Sequence, residues 1–195
     1  MKEIKVRITL QEEMLGMTPA NPEIYEQFIA SNAPDAATRE DEIAEFGVDA
    51  VVEKGMTVFP RMEDGTPFLY DYQIKGMFKD VCGMLRRVKG SKSSIVKAYK
   101  KEIDGLIFVE PRKIPIQLAG NIGKCQRPLR AMTMQGERVS LAYSESVPAY
   151  SVVEFTVKTF LDNEDLILEW LDYGALRGLG QWRNSGKGRF TYEVL

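Results

Sequence analysis

The sequence predicts an α+β protein with a mostly antiparallel sheet. Segments with alternating apolar and polar residues predict strands, and segments with apolar residues three and four positions apart predict helices. They follow one another in the order strand, helix, several strands, helix, strand, which favours an antiparallel sheet with helices packed on it. At 195 residues the chain suits a single domain with an insertion and a sizeable core.

The first elements surround an acidic region. Residues 4–10 alternate apolar and polar side chains and predict the first strand. Residues 17–55 predict a helical, acidic insertion, with one helix that begins at Asn21-Pro22 and a second over about 35–46. The Asp64-Gly65 step predicts a turn between two extended stretches.

The clearest helix is predicted over about residues 71–88, with Asp71 as its N-cap. Its expected core stripe consists of Ile74, Phe78, Val81, Cys82, Leu85 and Val88. Gly76 and Gly83 lie seven positions apart on one face. Because glycine lowers helix stability by about 1 kcal/mol relative to alanine, two on one face predict close packing against another element.

The rest of the chain is predicted to be mainly β. Strands are expected over 106–109, 113–118 and 129–133, and 137–143 is expected to form a hairpin with 150–160. A helix over about 163–176 should point Leu166, Ile167, Trp170 and Tyr173 inward, and residues 188–194 should form the closing strand.

Composition excludes several classes of function. The chain has no histidine, which excludes Ser-His-Asp, Cys-His and histidine acid–base catalysis. Its two cysteines predict neither a disulfide framework nor a zinc site, and no metal or cofactor is expected. We find no secretory signal and no long uncharged apolar run, so the expected location is the cytoplasm, without membrane association.

Charge is segregated along the chain although its sum is only −2. Residues 1–64 carry a net charge of −8, residues 65–130 carry +9, and residues 131–195 carry −3. Within the predicted central helix, Lys75, Lys79 and Arg86 lie almost on one line, and further cations follow them as far as Lys101. A basic face of this kind is typical of nucleic-acid binding, although such a stripe also occurs on helices that simply face solvent.

A glycine-rich loop, residues 178–188, precedes the closing strand; we call it the glycine loop. Its two glycine pairs are Gly178 with Gly180 and Gly186 with Gly188. In and just after the loop, four side chains suit a nucleic acid, namely Trp182, Arg183, Lys187 and Arg189. Repeated glycines permit positive φ and close backbone approach, so we expect the loop to press against a nucleic-acid backbone. The loop does not match a dinucleotide fingerprint or a phosphate-binding P-loop.

Three segments, in this order, resemble the RAMP superfamily (repeat-associated mysterious proteins) of CRISPR effector complexes, especially its backbone subunits. Residues 60–68 with the following Lys75-Gly76 step resemble the family's turn and helix start, with Lys79 near the family's usual arginine. Residues 145–155 resemble the start of a long strand, with Tyr150 where glycine is usual. The glycine loop has the family's spacing of two glycine pairs around five residues. The helix lacks the family's paired serines, and residues 17–55 match no motif.

This resemblance implies a modified ferredoxin-like (RRM-like) fold that holds single-stranded RNA along its sheet and glycine loop. It also implies protein partners in a nucleoprotein complex, or self-assembly. With the basic stripe added, the predicted RNA-binding residues are Lys75, Lys79, Arg86, Gly178, Gly180, Trp182, Arg183, Gly186, Lys187, Gly188 and Arg189.

The leading hypothesis is therefore a non-catalytic RNA-binding domain, and two alternatives stay open. One is a protein-interaction or decoy module, for example of a mobile element, which docks on a larger nucleoprotein complex. The other is a histidine-independent ribonuclease, because some backbone subunits of the resembled family cut RNA with a loop aspartate. Here the insertion replaces that loop, and no motif distinguishes Asp35, Asp41 or Asp49.

Overall fold

The computed structural model describes residues 1–20, 55–133, 136–161 and 164–195. The helices predicted within 21–29 and 35–46 lie outside these residues. In chain order the strands are β1 Lys2–Leu10, β2 Met14–Leu15, β3 Thr18–Pro19, β4 Thr57–Val58, β5 Phe68–Tyr70, β6 Ile107–Glu110, β7 Lys113–Gln117, β8 Gly123–Thr133, β9 Gly136–Val147, β10 Val152–Thr159 and β11 Phe190–Val194. The helices of the described residues are α1 Asp71–Leu85, α2 Tyr99–Leu106 and α3 Glu164–Arg177.

The chain forms two compact units. Unit 1 comprises Met1–Met14, Pro60–Asn121 and Val147–Leu195, and unit 2 comprises Leu15–Phe59 and Ile122–Ser146. Whether the chain acts as one domain with an insertion at 17–55, as the sequence predicts, stays a prediction.

Unit 1 has a ferredoxin-like arrangement of strands. Its main elements follow the order β1, α1, β7, β10, α3, β11, and the strands lie side by side in the order β11-β1-β10-β7-β5. Strand β1 pairs antiparallel with both β10 and β11. This β-α-β-β-α-β pattern with an antiparallel sheet confirms the predicted α+β, ferredoxin-like class.

The core of unit 1 lies between one face of this sheet and the helices. Ile4, Val6, Ile8 and Leu10 are buried at alternate positions of β1, as the period of a strand requires. Trp170 of α3 is fully buried and packs against Phe78 of α1, with 5.6 Å between the ring centres. The amphipathic patterns of β1, α1 and α3 thus all converge on one core.

Helix α1 begins one residue earlier than the predicted N-cap implies. Its N-cap is Tyr70, not Asp71, and the Gln73 side-chain oxygen accepts a hydrogen bond of 2.9 Å from the Tyr70 N–H. Asp71 is instead the first helical residue, where its carboxylate faces the positive end of the helix dipole. The helix also ends at Leu85, so that Val88 is exposed and lies outside the core.

Only one of the two glycines of α1 is closely packed. A Cβ atom at Gly83 would lie 3.0 Å from the hydroxyl oxygen of Tyr99, whereas one at Gly76 would have no neighbour within 4 Å. The prediction of close packing is therefore wrong for Gly76. Gly76 lies on an exposed part of the helix, where no neighbouring element packs against it.

Replacing Gly76 by alanine is therefore expected to raise the free energy of unfolding by about 0.5–1 kcal/mol, because alanine restricts the unfolded chain and fits the helix. Gly83→Ala is the matched comparison and should gain less or destabilise, since Tyr99 must move. Urea unfolding of both variants measures the difference. Equal gains at the two positions would contradict this assignment of their surroundings.

The predicted hairpin of residues 137–143 with 150–160 is wrong. Strand β9 pairs with β8 along its length, from Gly123↔Ser146 to Thr133↔Gly136, and forms part of unit 2. Strand β10 pairs with β1, β6 and β7 in unit 1. The two strands thus belong to different sheets, although they are consecutive in the sequence. Helix α2 was not predicted and directly precedes β6.

Unit 2 is built around the β8–β9 hairpin. Strand β4 pairs parallel with β9 through Thr57↔Ser144, and β3 pairs antiparallel with β4. The hydroxyl groups of Thr57 and Ser144 are hydrogen-bonded at 2.7 Å. These contacts tie residues on both sides of the predicted insertion to the hairpin.

Candidate nucleic-acid interface

The glycine loop depends on positive φ at five positions. Gly178, Gly180, Gly186 and Gly188 have φ between 71° and 87°, and Trp182 has φ 55°. Glycine adopts such angles without the steric cost that a Cβ atom adds. The sequence prediction of an unusual backbone at these glycines is correct.

The glycines lie close to the backbone of the glycine loop itself. The Leu179 N–H donates a hydrogen bond of 2.9 Å to the Gly188 carbonyl oxygen. A Cβ atom at Gly188 would overlap the Leu179 carbonyl oxygen, and one at Gly178 would overlap that of Lys187. The two ends of the loop thus pack tightly against each other, which explains why both positions require a residue without a Cβ atom. Their part in RNA binding stays a prediction.

Two of the loop's cations are paired with carboxylates of the same chain. An Arg183 guanidinium nitrogen lies 2.8 Å from an Asp80 carboxylate oxygen, and Arg177 approaches the same oxygen at 3.3 Å. The Lys187 ammonium group forms an ion pair with Glu13, which follows β1. These pairs neutralise Arg183 and Lys187 and fasten the loop to unit 1.

Two other side chains of this region are more open. Trp182 is 38% exposed, and Arg189 is exposed with its guanidinium group against Gly186. The Arg189 carbonyl oxygen accepts hydrogen bonds from the Gln11 and Glu12 N–H groups at 2.7 and 3.2 Å. The backbone of Arg189 is therefore fixed while its side chain faces outward.

The predicted cationic stripe on α1 is split among different partners. Lys75 donates a hydrogen bond of 3.1 Å to the Asp104 carbonyl oxygen, and Lys79 lies 2.5 Å from the Asp104 carboxylate. The hydrogen bond from Lys79 lowers the pKa of Asp104. Arg86 lies over the ring of Tyr99, with 5.1 Å to its centre. The three cations thus all face α2, which the sequence analysis missed.

A second group of cations lies in residues 86–101, which we call the basic segment. It connects α1 to the start of α2 and includes a 3₁₀ turn at Lys92–Ile95. Five of its exposed side chains form no ion pair or hydrogen bond among the described residues, namely Arg87, Lys89, Lys97, Lys100 and Lys101. Their charges are open to solvent, in contrast to Arg183 and Lys187.

The basic segment is anchored at its centre by α3. The Glu169 carboxylate accepts hydrogen bonds from the Lys92 N–H, the Ser93 N–H and the Ser93 hydroxyl group at 2.7, 3.0 and 2.6 Å. The indole N–H of Trp170 donates to the same hydroxyl oxygen at 2.9 Å, and Ser93 is fully buried. An anchor 76 positions away along the chain has no local sequence signal, which is why the sequence analysis missed Glu169.

The face of the sheet opposite the buried β1 side chains carries ion pairs. Arg7 lies 2.7 Å from Glu154, and Lys158 lies 2.7 Å from Glu110. The hydrogen bond that Arg7 donates to Glu154 raises the pKa of Arg7, and the one that Lys158 donates to Glu110 raises the pKa of Lys158. RRM domains stack bases on aromatic side chains of their sheet. The only aromatic residue of β1 and β10, Phe155, is buried, so the two central strands offer no exposed ring.

Neither a membrane-spanning helix nor a metal-binding cluster occurs in the described part of the chain. None of its helices is long and apolar enough to cross a bilayer. No group of three or more cysteine, aspartate or glutamate side chains there is arranged to hold a metal ion.

The fold resembles that of subunits of CRISPR complexes. A chain of the "Cryo-EM structure of the Type III-B Cmr-beta bound to cognate target RNA" aligns with a TM-score of 0.52 at 12% identity. The alignment covers 100% of this chain and 61% of that chain, so this chain spans less than two thirds of that subunit. A chain of the "Type IV-B CRISPR Complex" aligns with a TM-score of 0.50 at 13% identity, over 100% of this chain and 90% of that one.

No protein-family model matches the sequence, and no curated protein matches it either. The likeness at such low identity concerns the fold. It agrees with the fold that the resemblance of three short segments implied.

Proposed function

We propose that this chain is a non-catalytic RNA-binding subunit of a nucleoprotein complex. The observation that carries the proposal is the likeness of fold, over the whole chain, to subunits of two CRISPR complexes, one of them bound to cognate target RNA. Because one fold hosts many functions, RNA binding also requires a surface of this chain that suits RNA.

The basic segment is the surface best suited to RNA phosphates. Its five exposed cations have no carboxylate partner among the described residues, so a phosphate need not displace one. Cations that neutralise phosphates release counterions, which provides most of the sequence-independent affinity. The anchor on Glu169 supports this role because it fixes the backbone of the segment before RNA arrives.

The glycine loop would contribute through different groups. Arg189 and Trp182 are exposed, so their side chains are accessible to a phosphate and a base. Arg183 and Lys187 can bind phosphate only by exchanging Asp80 and Glu13 for it. We therefore expect the basic segment to contribute more affinity than the glycine loop.

The test is the salt dependence of RNA binding. Wild-type protein should bind a fluorescent single-stranded RNA with an affinity that falls steeply with salt. Replacing Lys89, Lys97 and Lys100 together by alanine should weaken binding and reduce the slope of log K against log salt by about 2, since each lost contact on a single strand contributes about 0.7. Fluorescence anisotropy at several salt concentrations measures both quantities.

A charge-matched control separates location from net charge. Lys5, Arg112 and Lys124 are also exposed cations, and none of them lies in the basic segment. Replacing these three by alanine removes the same charge and should leave the slope close to that of the wild type. Equal losses in the two triple variants, or no RNA binding by the wild type, would contradict the proposal.

A further inference from the structure

Two exposed aromatic rings meet at the end of the sheet in unit 1. Phe108 of β6 is 45% exposed, and Phe160, which follows β10, is 57% exposed. Their ring centres are 6.3 Å apart in an edge-to-face arrangement. The Phe160 N–H donates a hydrogen bond of 3.0 Å to the carbonyl oxygen of Leu106, so the two chain segments are joined there. We call Leu106, Phe108 and Phe160 the aromatic corner.

A cation lies directly beside these rings. The Lys75 ammonium nitrogen is 5.5 Å from the centre of the Phe108 ring and donates to the backbone carbonyl of Asp104. The Asp104 carboxylate is paired with Lys79 instead. Lys75 thus makes no ion pair among the described residues, although the nearby Asp104 carboxylate also interacts with its charge, and its ammonium group can attract a phosphate.

The other charges near the corner are one ammonium group and two carboxylates. Lys158 is directly opposite Phe108 in the register of β6 and β10. It lies 2.7 Å from Glu110 and 3.6 Å from Glu3, so these carboxylates are already occupied by an ammonium group. This group carries a net charge of −1, so the attraction for a phosphate is local to Lys75, beside the Phe108 ring.

The corner also continues the basic segment. Helix α2 starts at the end of that segment, carries the exposed Lys100 and Lys101, and ends at Leu106. Its eight residues span about 12 Å. A single-stranded RNA that follows the basic segment along α2 would reach the two rings.

We propose that the aromatic corner stacks unpaired bases of the bound single-stranded RNA, while Lys75 holds an adjacent phosphate. This inference rests on the proposed RNA-binding function and adds two aromatic rings to Lys75, which the sequence already predicted to bind RNA. Stacking of bases on exposed rings beside a cation is the usual way in which proteins hold single strands without reading their sequence. A surface that bound a protein through apolar contacts alone would not require the ammonium group of Lys75.

The test compares two conservative double variants. Phe108→Leu with Phe160→Leu keeps the corner apolar but removes both rings, whereas Phe108→Tyr with Phe160→Tyr keeps the rings. With an oligoadenosine of about twelve nucleotides, the leucine variant should bind at least about fivefold more weakly, and the tyrosine variant should bind about as well as the wild type. The salt slope should stay unchanged in both, because no phosphate contact is lost.

Three controls sharpen the comparison. Leu176→Ala removes an even more exposed apolar side chain from α3 and should bind like the wild type. A duplex of the same sequence offers no unpaired base, so the leucine variant should bind it as the wild type does. Lys75→Ala should lower the salt slope by about 0.7 on the single strand. Because both rings are exposed, we expect unchanged thermal midpoints throughout.

The outcomes separate this inference from the function on which it rests. If the leucine variant binds the single strand as tightly as the wild type, the corner does not stack bases, whereas salt-dependent binding through the basic segment stands. That result is also expected if the corner instead docks a protein. If the wild type binds no RNA, both proposals are overturned.

Discussion

Replacing Gly188 by alanine is expected to lower the free energy of unfolding by about 3 kcal/mol or more. A residue with a Cβ atom at positive φ costs about 1–2 kcal/mol, and Gly188 has φ 71°. The overlap of that Cβ with the Leu179 carbonyl oxygen adds to the cost, because this oxygen belongs to the backbone and cannot rotate away. The hydrogen bond from the Gly188 N–H to the Glu13 carbonyl oxygen would be lost as the loop moves. Urea unfolding measures the effect.

Gly65→Ala is the matched control for that prediction. Gly65 has φ 84°, similar to that of Gly188, but a Cβ atom there would have no neighbour within 4 Å. Gly65→Ala should therefore lower the free energy of unfolding only by the conformational cost of positive φ, about 1–2 kcal/mol. Losses of the same size at the two positions would show that the glycine loop is not pressed together as described.

The fold was predictable where the pattern of apolar residues is strong. Strand β1 alternates buried and open positions, and α1 and α3 carry apolar stripes that end in the same core. Helix α2 was missed because Ile103 is its only buried residue, which leaves no stripe to detect. The β9–β10 hairpin was predicted because consecutive strands usually pair. No local sequence pattern indicates that β10 lies between β1 and β7 in the sheet.

The candidate interface was predictable only in part for a similar reason. The glycines correctly indicated positive φ and close backbone approach, yet the partner of that approach is the loop itself. Asp80 and Arg183 lie 103 positions apart, and Glu13 and Lys187 lie 174 apart. Local spacing cannot predict such ion pairs. It therefore could not distinguish cations that are neutralised within the chain from those of the basic segment.

Replacing Glu169 by alanine is expected to reduce both stability and RNA affinity, although it removes no positive charge. The carboxylate accepts three hydrogen bonds from Lys92 and Ser93, and hydrogen bonds to a charged group contribute about 1.5–3 kcal/mol each. Some of these groups would find water instead, so we expect a loss of about 2–4 kcal/mol. The Ser93 hydroxyl oxygen would lose its bond to Glu169 but could still accept the hydrogen bond from Trp170. The turn at the centre of the basic segment would then open.

Two comparison variants test whether the expected effect is specific to the Glu169 carboxylate. Glu164→Ala removes an exposed carboxylate from the first turn of the same helix, which should cost only about 0.3–1 kcal/mol and leave RNA affinity unchanged. Glu169→Gln keeps one acceptor oxygen and should fall between the wild type and the alanine variant. Hydrogen exchange at the Lys92 and Ser93 amides reports directly on the turn and should accelerate in Glu169→Ala while the amides of β1 stay protected. If affinity falls only as far as in Glu164→Ala, the anchor stabilises the fold without positioning the basic segment for RNA.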